Sequence, residues 1–267
     1  MYETNYHRPK TLADAAALLA KSDEVKLLAG GQTLLPTMKQ RLAAPTDVID
    51  LRHIDDLKGI TESGSGGVRI GAAVTHAEVA GSETVRRLIP ALASLAGEIG
   101  DPHVRHMGTI GGSIANNDPA ADYPGALVGL NATVTTNKRE MSADDFFTGL
   151  FETALEPDEI VTAVTFPAPE KAAYAKYPNP ASRYSMAGVF AARLADGSIR
   201  VAVTGAGQGG VFRVSEMEQA LSSNWSPDAI AGVKVAAGDM LSDIHGSADY
   251  RANLVSVMAK RAVAAAG

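Results

Sequence analysis

The sequence predicts an α+β protein built from consecutive small units, and three observations predict it. Apolar runs alternate between helical and strand patterning up to residue 56. The texture then turns glycine-rich and partly alternating after Asp55-Asp56-Leu57, and beyond residue 180 strands are followed by helices. A chain of 267 residues exceeds the roughly 100 to 200 of one domain, so two or three units with real cores are expected.

In the first unit, Thr11 is placed as an N-cap before apolar residues at helical spacing through Ala20, and Val25 to Leu28 reads as a short strand. A glycine turn leaves that strand. Leu34 to Leu42 patterns as a helix, and Asp47-Val48-Ile49-Asp50-Leu51 suits a buried parallel strand, which makes a small βαβ-like unit. The second unit opens at the glycine-rich run 64–67. Val68 to Val74 alternates as a strand, a capped helix starts near Thr75, Pro90 to Ile99 reads as another helix, and Gly125 to Val134 is a further apolar segment. The motifs Pro167-Ala168-Pro169 and Tyr177-Pro178-Asn179-Pro180 read as linkers or extended stretches. In the last unit, Met186 to Leu194 and Ser198 to Val203 flank Asp196-Gly197, a strong hairpin signal. Ser215 to Leu221, Asp228 to Ala237 and Tyr250 to Ala265 are predicted as closing helices. The unit boundaries follow as 1–56, 57–167 and 168–267.

Composition narrows the function classes. With 46% hydrophobic and 20% charged residues and a net charge of -6, the chain reads as globular and mildly acidic, and it offers no basic track for nucleic acid. It contains no cysteine, which excludes disulfides, thiolate zinc sites, a cysteine nucleophile and a cluster held on its own thiolates. The N-terminal residues lack a secretory pattern and no stretch is long and apolar enough to span a membrane, so a cytoplasmic location is expected.

Two glycine-paired segments, Ala29-Gly30-Gly31-Gln32-Thr33 and Thr109-Ile110-Gly111-Gly112-Ser113, carry the functional signal. A glycine pair permits positive φ and lets the backbone approach a ligand, so that N–H groups converge on an anion. Each pair also has an ordinary reading as a tight turn. Two in one short region, each beside a hydroxyl side chain, point to opposite walls of a pyrophosphate site. Neither ends in Gly-Lys-Ser/Thr, neither fits Gly-x-Gly-x-x-Gly, and Ser113 lacks a Gly-x-Ser-x-Gly elbow, so phosphate hydrolysis, an ordinary Rossmann site and a serine hydrolase are disfavoured.

His103, His106, Asp118 and Asp122 permit a nitrogen–oxygen metal site on paper, but the spacing is not a specific ligand pattern. Stabilising a turn or lining a polar cavity is the better reading for His103, Arg105 and His106. Asp118 and Asp122 could form an acid/base pair, serve as turn formers, or bond a ribose hydroxyl, the functional reading preferred. What remains is a protein that grips a redox cofactor by its backbone and adds little side-chain catalysis.

Taken together, Leu27–Lys39, Asp50-Leu51-Arg52, Ile70-Gly71-Ala72, Asp101–Asp122, Tyr177–Tyr184 and Gly209–Arg213 resemble the FAD-binding medium subunit of molybdenum hydroxylases, the family of aerobic carbon monoxide dehydrogenase and xanthine dehydrogenase-like enzymes. The resemblance runs nearly end to end. It implies the two-subdomain FAD-binding fold of the vanillyl-alcohol oxidase (PCMH) type, followed by a C-terminal α+β domain of antiparallel sheet and helices. It further implies that Ala29, Gly30, Gly31, Gln32, Thr33 and Leu34, with Thr109, Ile110, Gly111, Gly112 and Ser113, hold the pyrophosphate region of FAD. Asp122 is implied at the adenosine ribose, Ile160 and Val161 beside the isoalloxazine ring, and Lys176 and Tyr184 near the flavin from the third domain. The ordinary alternatives are core packing for Ile160 and Val161, and solvent or local pairing for Lys176 and Tyr184.

Some family members carry an extra iron–sulfur cluster in a cysteine-bearing insertion of this subunit, which the absence of cysteine excludes here. Thr33 stands where many relatives have serine, and keeps the hydroxyl. The implied assembly adds a large subunit with the molybdenum cofactor and a small subunit with two 2Fe–2S clusters, as a dimer of heterotrimers, with FAD passing electrons to an external acceptor. No catalytic residue and no metal ligand is assigned to this chain. Two rival readings stand beside this one: a self-sufficient FAD-dependent oxidoreductase, and a non-catalytic assembly subunit that has lost the cofactor.

Overall fold

The structure is a computed structural model that describes residues 1–64 and 66–267; Ser65, inside the run 64–67, lies outside the described residues. The first lobe comprises β1 (Asn5–His7), α1 (Leu12–Leu19), β2 (Val25–Leu28), α2 (Leu34–Lys39) and β3 (Asp47–Asp50). Its three strands form a parallel sheet in the order β1-β3-β2. Thr11 caps α1, its hydroxyl accepting from the Asp14 N–H. Leu51 leaves β3 as the start of a 3-10 turn, and α2 stops at Lys39 because Arg41 takes φ 62.

The second lobe contains β4 (Ile60–Glu62), β5 (Val68–Gly71), α3 (His76–Gly81), α4 (Glu83–Leu88), α5 (Pro90–Gly97), α6 (Pro102–Met107), α7 (Ile110–Asn116) and α8 (Tyr123–Gly129). It continues with β6 (Thr133–Thr136), β7 (Glu140–Ser142), α9 (Ala143–Phe146), the small hairpin β8 (Phe147–Gly149) and β9 (Glu152–Thr153), and β10 (Val161–Phe166). Five of these strands make an antiparallel sheet in the order β4-β5-β10-β6-β7. Thr75 and Glu78 form a reciprocal capping box at the start of α3.

The third unit is a sheet ordered β11 (Pro169–Pro178), β12 (Ser185–Leu194), β13 (Ile199–Thr204), β14 (Phe212–Arg213), all antiparallel, with α10 (Ser215–Ser223) and α11 (Ala248–Ala266). The hairpin at Asp196-Gly197 forms as read, with Gly197 at φ 83. β12 is buried on both faces. Phe190, Ala192 and Leu194 enter the second lobe's core, while Ala187, Val189 and Ala191 face the core shared with α11. Strand alternation thus divides one segment between two cores and fastens the third unit to the second lobe.

One expectation sharpens, one strand goes unread and one helix needs correction. The stretch after Pro167, read as a linker or extended stretch, is the ten-residue β11, an edge strand where prolines at the ends cost no ladder bond. β1 has no apolar alternation to reveal it. The helix expected over Asp228 to Ala237 is a run of turns closed by i to i+3 bonds such as Ala231 N–H to Asp228 O; Gly232, Val233 and Val235 weaken helix formation there.

A buried carboxylate sets the approach of β10 to the site. Glu159 is shut off from solvent and accepts from Arg139 Nε (3.0 Å) and Nη2 (2.9 Å), Thr136 Oγ1 (2.7 Å) and the Glu156 N–H (2.9 Å). Next to it, Asn137 exchanges bonds with the Ile160 backbone at 2.8 and 3.0 Å. The Arg139 guanidinium, with the other donors, outweighs burial and holds the Glu159 carboxyl at about 2 against an ordinary 4.5. The native form therefore stays charged where the unfolded chain protonates, so this stabilisation is complete above pH 4.5 and is lost as pH falls toward 2. Glu159→Gln is expected to lower unfolding free energy by about 3 kcal/mol near neutral pH and to flatten the acid limb, as urea titrations across that range measure.

Candidate functional site

A cleft of about 570 Å³ runs between the first two lobes and reaches the turn that joins β11 to β12. That size suits a small-molecule or cofactor site. Of the residues singled out in the sequence, Ala29, Gly30, Gly31, Gln32, Thr33, Leu34, Thr109, Gly111, Gly112, Ser113, Asp122, Ile160, Val161 and Tyr184 line it. Ile110 does not: it is fully buried in the second lobe's core. Lys176 lies behind the wall, paired to Asp122.

The two glycine segments meet across the cleft floor. A Cβ on Gly30 would lie 2.1 Å from Met107 O and 2.6 Å from Gly108 Cα, so the first loop rests directly on the backbone that leads into the second. A Cβ on Gly112 would be 3.2 Å from Ala29 Cβ, and one on Gly111 would be 2.5 Å from Ala72 Cβ. Positive φ is needed only at Gly31, at 71°. The second segment is not a turn at all but the first turn of α7, with Thr109 as its N-cap.

Their backbone donors also differ. In the second segment Ile110 N–H donates to Val74 O, Gly111 N–H to Ala72 O, Gly112 N–H to Thr109 Oγ1 and Ser113 N–H to Thr109 O. These donors are committed. In the first, the N–H groups of Gly30, Gly31, Gln32 and Thr33 find no acceptor among the described residues, while Gln32 Nε2 braces the loop on Gly30 O at 3.2 Å. Thr33 and Ser113 bring hydroxyls to the cleft that bond to nothing else among the described residues. Four successive main-chain donors without acceptors, with two hydroxyls beside the same cleft, fit an oxyanion such as a diphosphate.

Asp122 is buried, and its carboxylate is held by Tyr174 Oη and by Lys176 Nζ at 3.1 Å. Lys176 also donates to Glu98 O at 3.0 Å. Burial pushes the Asp122 carboxyl above its ordinary value, and the Lys176 ammonium and Tyr174 hydroxyl oppose that shift. Asp122, Lys176 and the turn bearing Tyr184 thus lie together on the third-unit side. Ile160, by contrast, is buried in the first lobe's core with Leu51, Ile54 and Leu57. Asp122 and Lys176, which the resemblance assigns to different ends of the cofactor, form one ion pair.

Arg105 donates to Ile99 O (3.0 Å) and Gly100 O (3.1 Å), and His106 Nδ1 to Pro102 O (2.7 Å), so both stabilise the turn before Thr109. Among the described residues no three His, Cys, Asp or Glu side chains converge as metal ligands. Asp118 caps its own turn through Oδ1 to the Ala120 N–H. Sequence reading missed Lys26, Ile99, Gly108, His76 and Arg183, which also line the cleft. Only Gly108, adjoining the second segment, carried a signal.

The cleft and its free donors fit an anionic cofactor, and the comparisons place the chain among oxidoreductase subunits. Residues 2–169 match the family described as the FAD binding domain in molybdopterin dehydrogenase. The chain belongs to that family, whose cofactor is FAD. Among named relatives, it is 37% identical to the nicotine 6-hydroxylase medium subunit of Paenarthrobacter nicotinovorans, covering 98% of this chain and 96% of that one. It is 34% identical to the carbon monoxide dehydrogenase medium chain of Hydrogenophaga pseudoflava, with the same coverage. Its fold matches reconstituted CO dehydrogenase from Oligotropha carboxidovorans with a TM-score of 0.92 at 35% identity, over 99% of this chain and 97% of that one. It also matches quinoline 2-oxidoreductase from Pseudomonas putida 86 with a TM-score of 0.88 at 28% identity, over 99% and 96%. The α+β class is thereby established, and no helix among the described residues is long and apolar enough to cross a membrane.

The backbone contact at Gly30 makes a direct test. Gly30→Ala is expected to destabilise the protein by about 1–3 kcal/mol through overpacking and to abolish FAD retention by pushing the loops apart. Gly209→Ala, where a Cβ meets nothing within 4 Å, is expected to leave both unchanged; thermal unfolding and bound-flavin absorbance report the two effects.

Proposed function

We propose that this chain is the electron-transfer subunit of a heterotrimeric molybdenum-containing dehydrogenase. The observation that carries the reading is the row of four unpaired N–H groups on Gly30 to Thr33, residues that line the cleft of a chain of an FAD-binding family. When bound, FAD supplies a carrier that takes up electrons and hands them to an external acceptor. The chain's own residues bind and orient it. Gly30, Gly31, Gln32 and Thr33 donate to the diphosphate from their backbone, Thr33 and Ser113 add hydroxyls, and Gly111 and Gly112 let α7 pack against Ala72 and the first loop.

The side-chain grouping supports an assignment of the two cofactor ends. Tyr184, Asp122 and, behind it, Lys176 attend the flavin, where the Asp122–Lys176 pair places fixed charge beside the ring. Ile160, Val161 and Leu51 form the apolar wall for the adenosine. This exchanges the positions that the family resemblance implied for Asp122 and Ile160. Hydroxylation takes place in a large partner subunit holding the molybdenum cofactor, a small partner with two 2Fe–2S clusters delivers the electrons, and the whole forms a cytoplasmic dimer of heterotrimers.

The purified chain is expected to be yellow, with close to one FAD per chain, and its flavin is expected to stay oxidised in anaerobic titration with the complex's substrate. In the reconstituted heterotrimer the same titration bleaches it. Bleaching in the isolated chain would instead mark a self-sufficient oxidoreductase. A colourless chain from flavin-replete cells would mark an assembly subunit.

A further inference from the structure

His76 opens α3 directly after its Thr75 cap and belongs to neither glycine segment. It is only 5% exposed, yet it lines the cleft. Its ring lies 5.3 Å from that of Tyr123, centroid to centroid, which fixes one side of the imidazole against the core. Nδ1 is shut off from solvent and has no hydrogen-bond partner. Nε2 also bonds to no group among the described residues, but it is not shut off. Gly108 is what keeps it uncovered: a Cβ there would sit 2.5 Å from Nε2. Gly108 in turn lies under Gly30, so Nε2 opens beside the place where the two loops meet.

Burial, reinforced by the Arg105 charge, pulls the His76 imidazole down to about 4, so near neutral pH it carries a single N–H. Placing that proton on Nδ1 would bury a donor with nothing to receive it. Placing it on Nε2 points it into the cleft and leaves only a bare lone pair inside, the lesser penalty. A buried polar side chain whose free donor faces a cofactor cleft is built for an acceptor supplied by the cofactor.

We infer that His76 is a direct FAD ligand, donating Nε2–H to an oxygen of the bound dinucleotide. The inference rests on the FAD reading above and adds a side-chain donor to a site otherwise made of backbone and hydroxyls. The partner is an oxygen of either the flavin half or the adenosine diphosphate half.

The test uses the full chain stripped of flavin, with FAD binding followed by flavin fluorescence. His76→Phe keeps the ring against Tyr123 and removes the donor, and is expected to weaken FAD binding about tenfold, the size of one well-formed bond. His76→Gln restores a donor and is expected to recover most of that loss. Parallel titrations with FMN and with ADP locate the acceptor: a weakened FMN response assigns it to the flavin half, and a weakened ADP response to the other. On the unmutated chain carrying 15N-histidine, FAD is expected to shift the His76 Nε2 resonance while Nδ1 keeps the signature of an unprotonated nitrogen. This measurement decides the matter even if a variant folds poorly. Equal FAD affinity in His76→Phe, or an Nε2 resonance indifferent to FAD, overturns the inference. A wild-type chain that binds no FAD overturns the underlying functional reading instead.

Discussion

Backbone-to-backbone contact between the first two lobes is the constraint on which the site depends. Gly30 lies against Met107 O and Gly108 Cα at distances that admit no side chain, and a Cβ on Gly112 would be 3.2 Å from Ala29 Cβ. Protein interiors transmit such contacts faithfully because they are close-packed. The first loop is therefore seated on the second lobe, and its N–H groups are left without acceptors among the described residues.

The second segment does a different job from the first, although the two look alike. Its N–H groups close the start of α7 and stitch it to Ala72 and Val74 at the end of β5, making a rigid floor. Free donors sit on one side and paired ones on the other, an arrangement that suits a preorganised site. The third unit completes it by inserting a buried ion pair, Lys176 with Asp122, at one end of the cleft. A charge pair so withdrawn from water gains little net stability from its own attraction, and breaking it strands a buried charge. Its partners, Tyr174 Oη on Asp122 and Glu98 O on Lys176, hold both groups in place.

Much of this was legible in the sequence, where local chemistry dictates structure. Thr11 and Thr75 announced helix starts, Asp196-Gly197 announced a hairpin, and the glycine pairs announced close approach. Nonlocal matters were not legible. β11 depends on pairing with β12 and carries no pattern of its own, since an edge strand of Ala, Lys and Tyr ended by prolines resembles a linker. The stretch from Asp228 to Ala237 has helical spacing but finds only turns. The spent donors of the second segment depend on carbonyls of Ala72 and Val74, nearly forty residues away in sequence. His76 became visible only through its burial and its missing partner.

The most direct measurement is a crystal structure of the chain with FAD, read at the diphosphate. The account predicts its oxygens within hydrogen-bond distance of the Gly30, Gly31, Gln32 and Thr33 N–H groups, with the second segment's N–H groups still on Ala72, Val74 and Thr109. A diphosphate seated elsewhere, with those four donors facing only water, would contradict it.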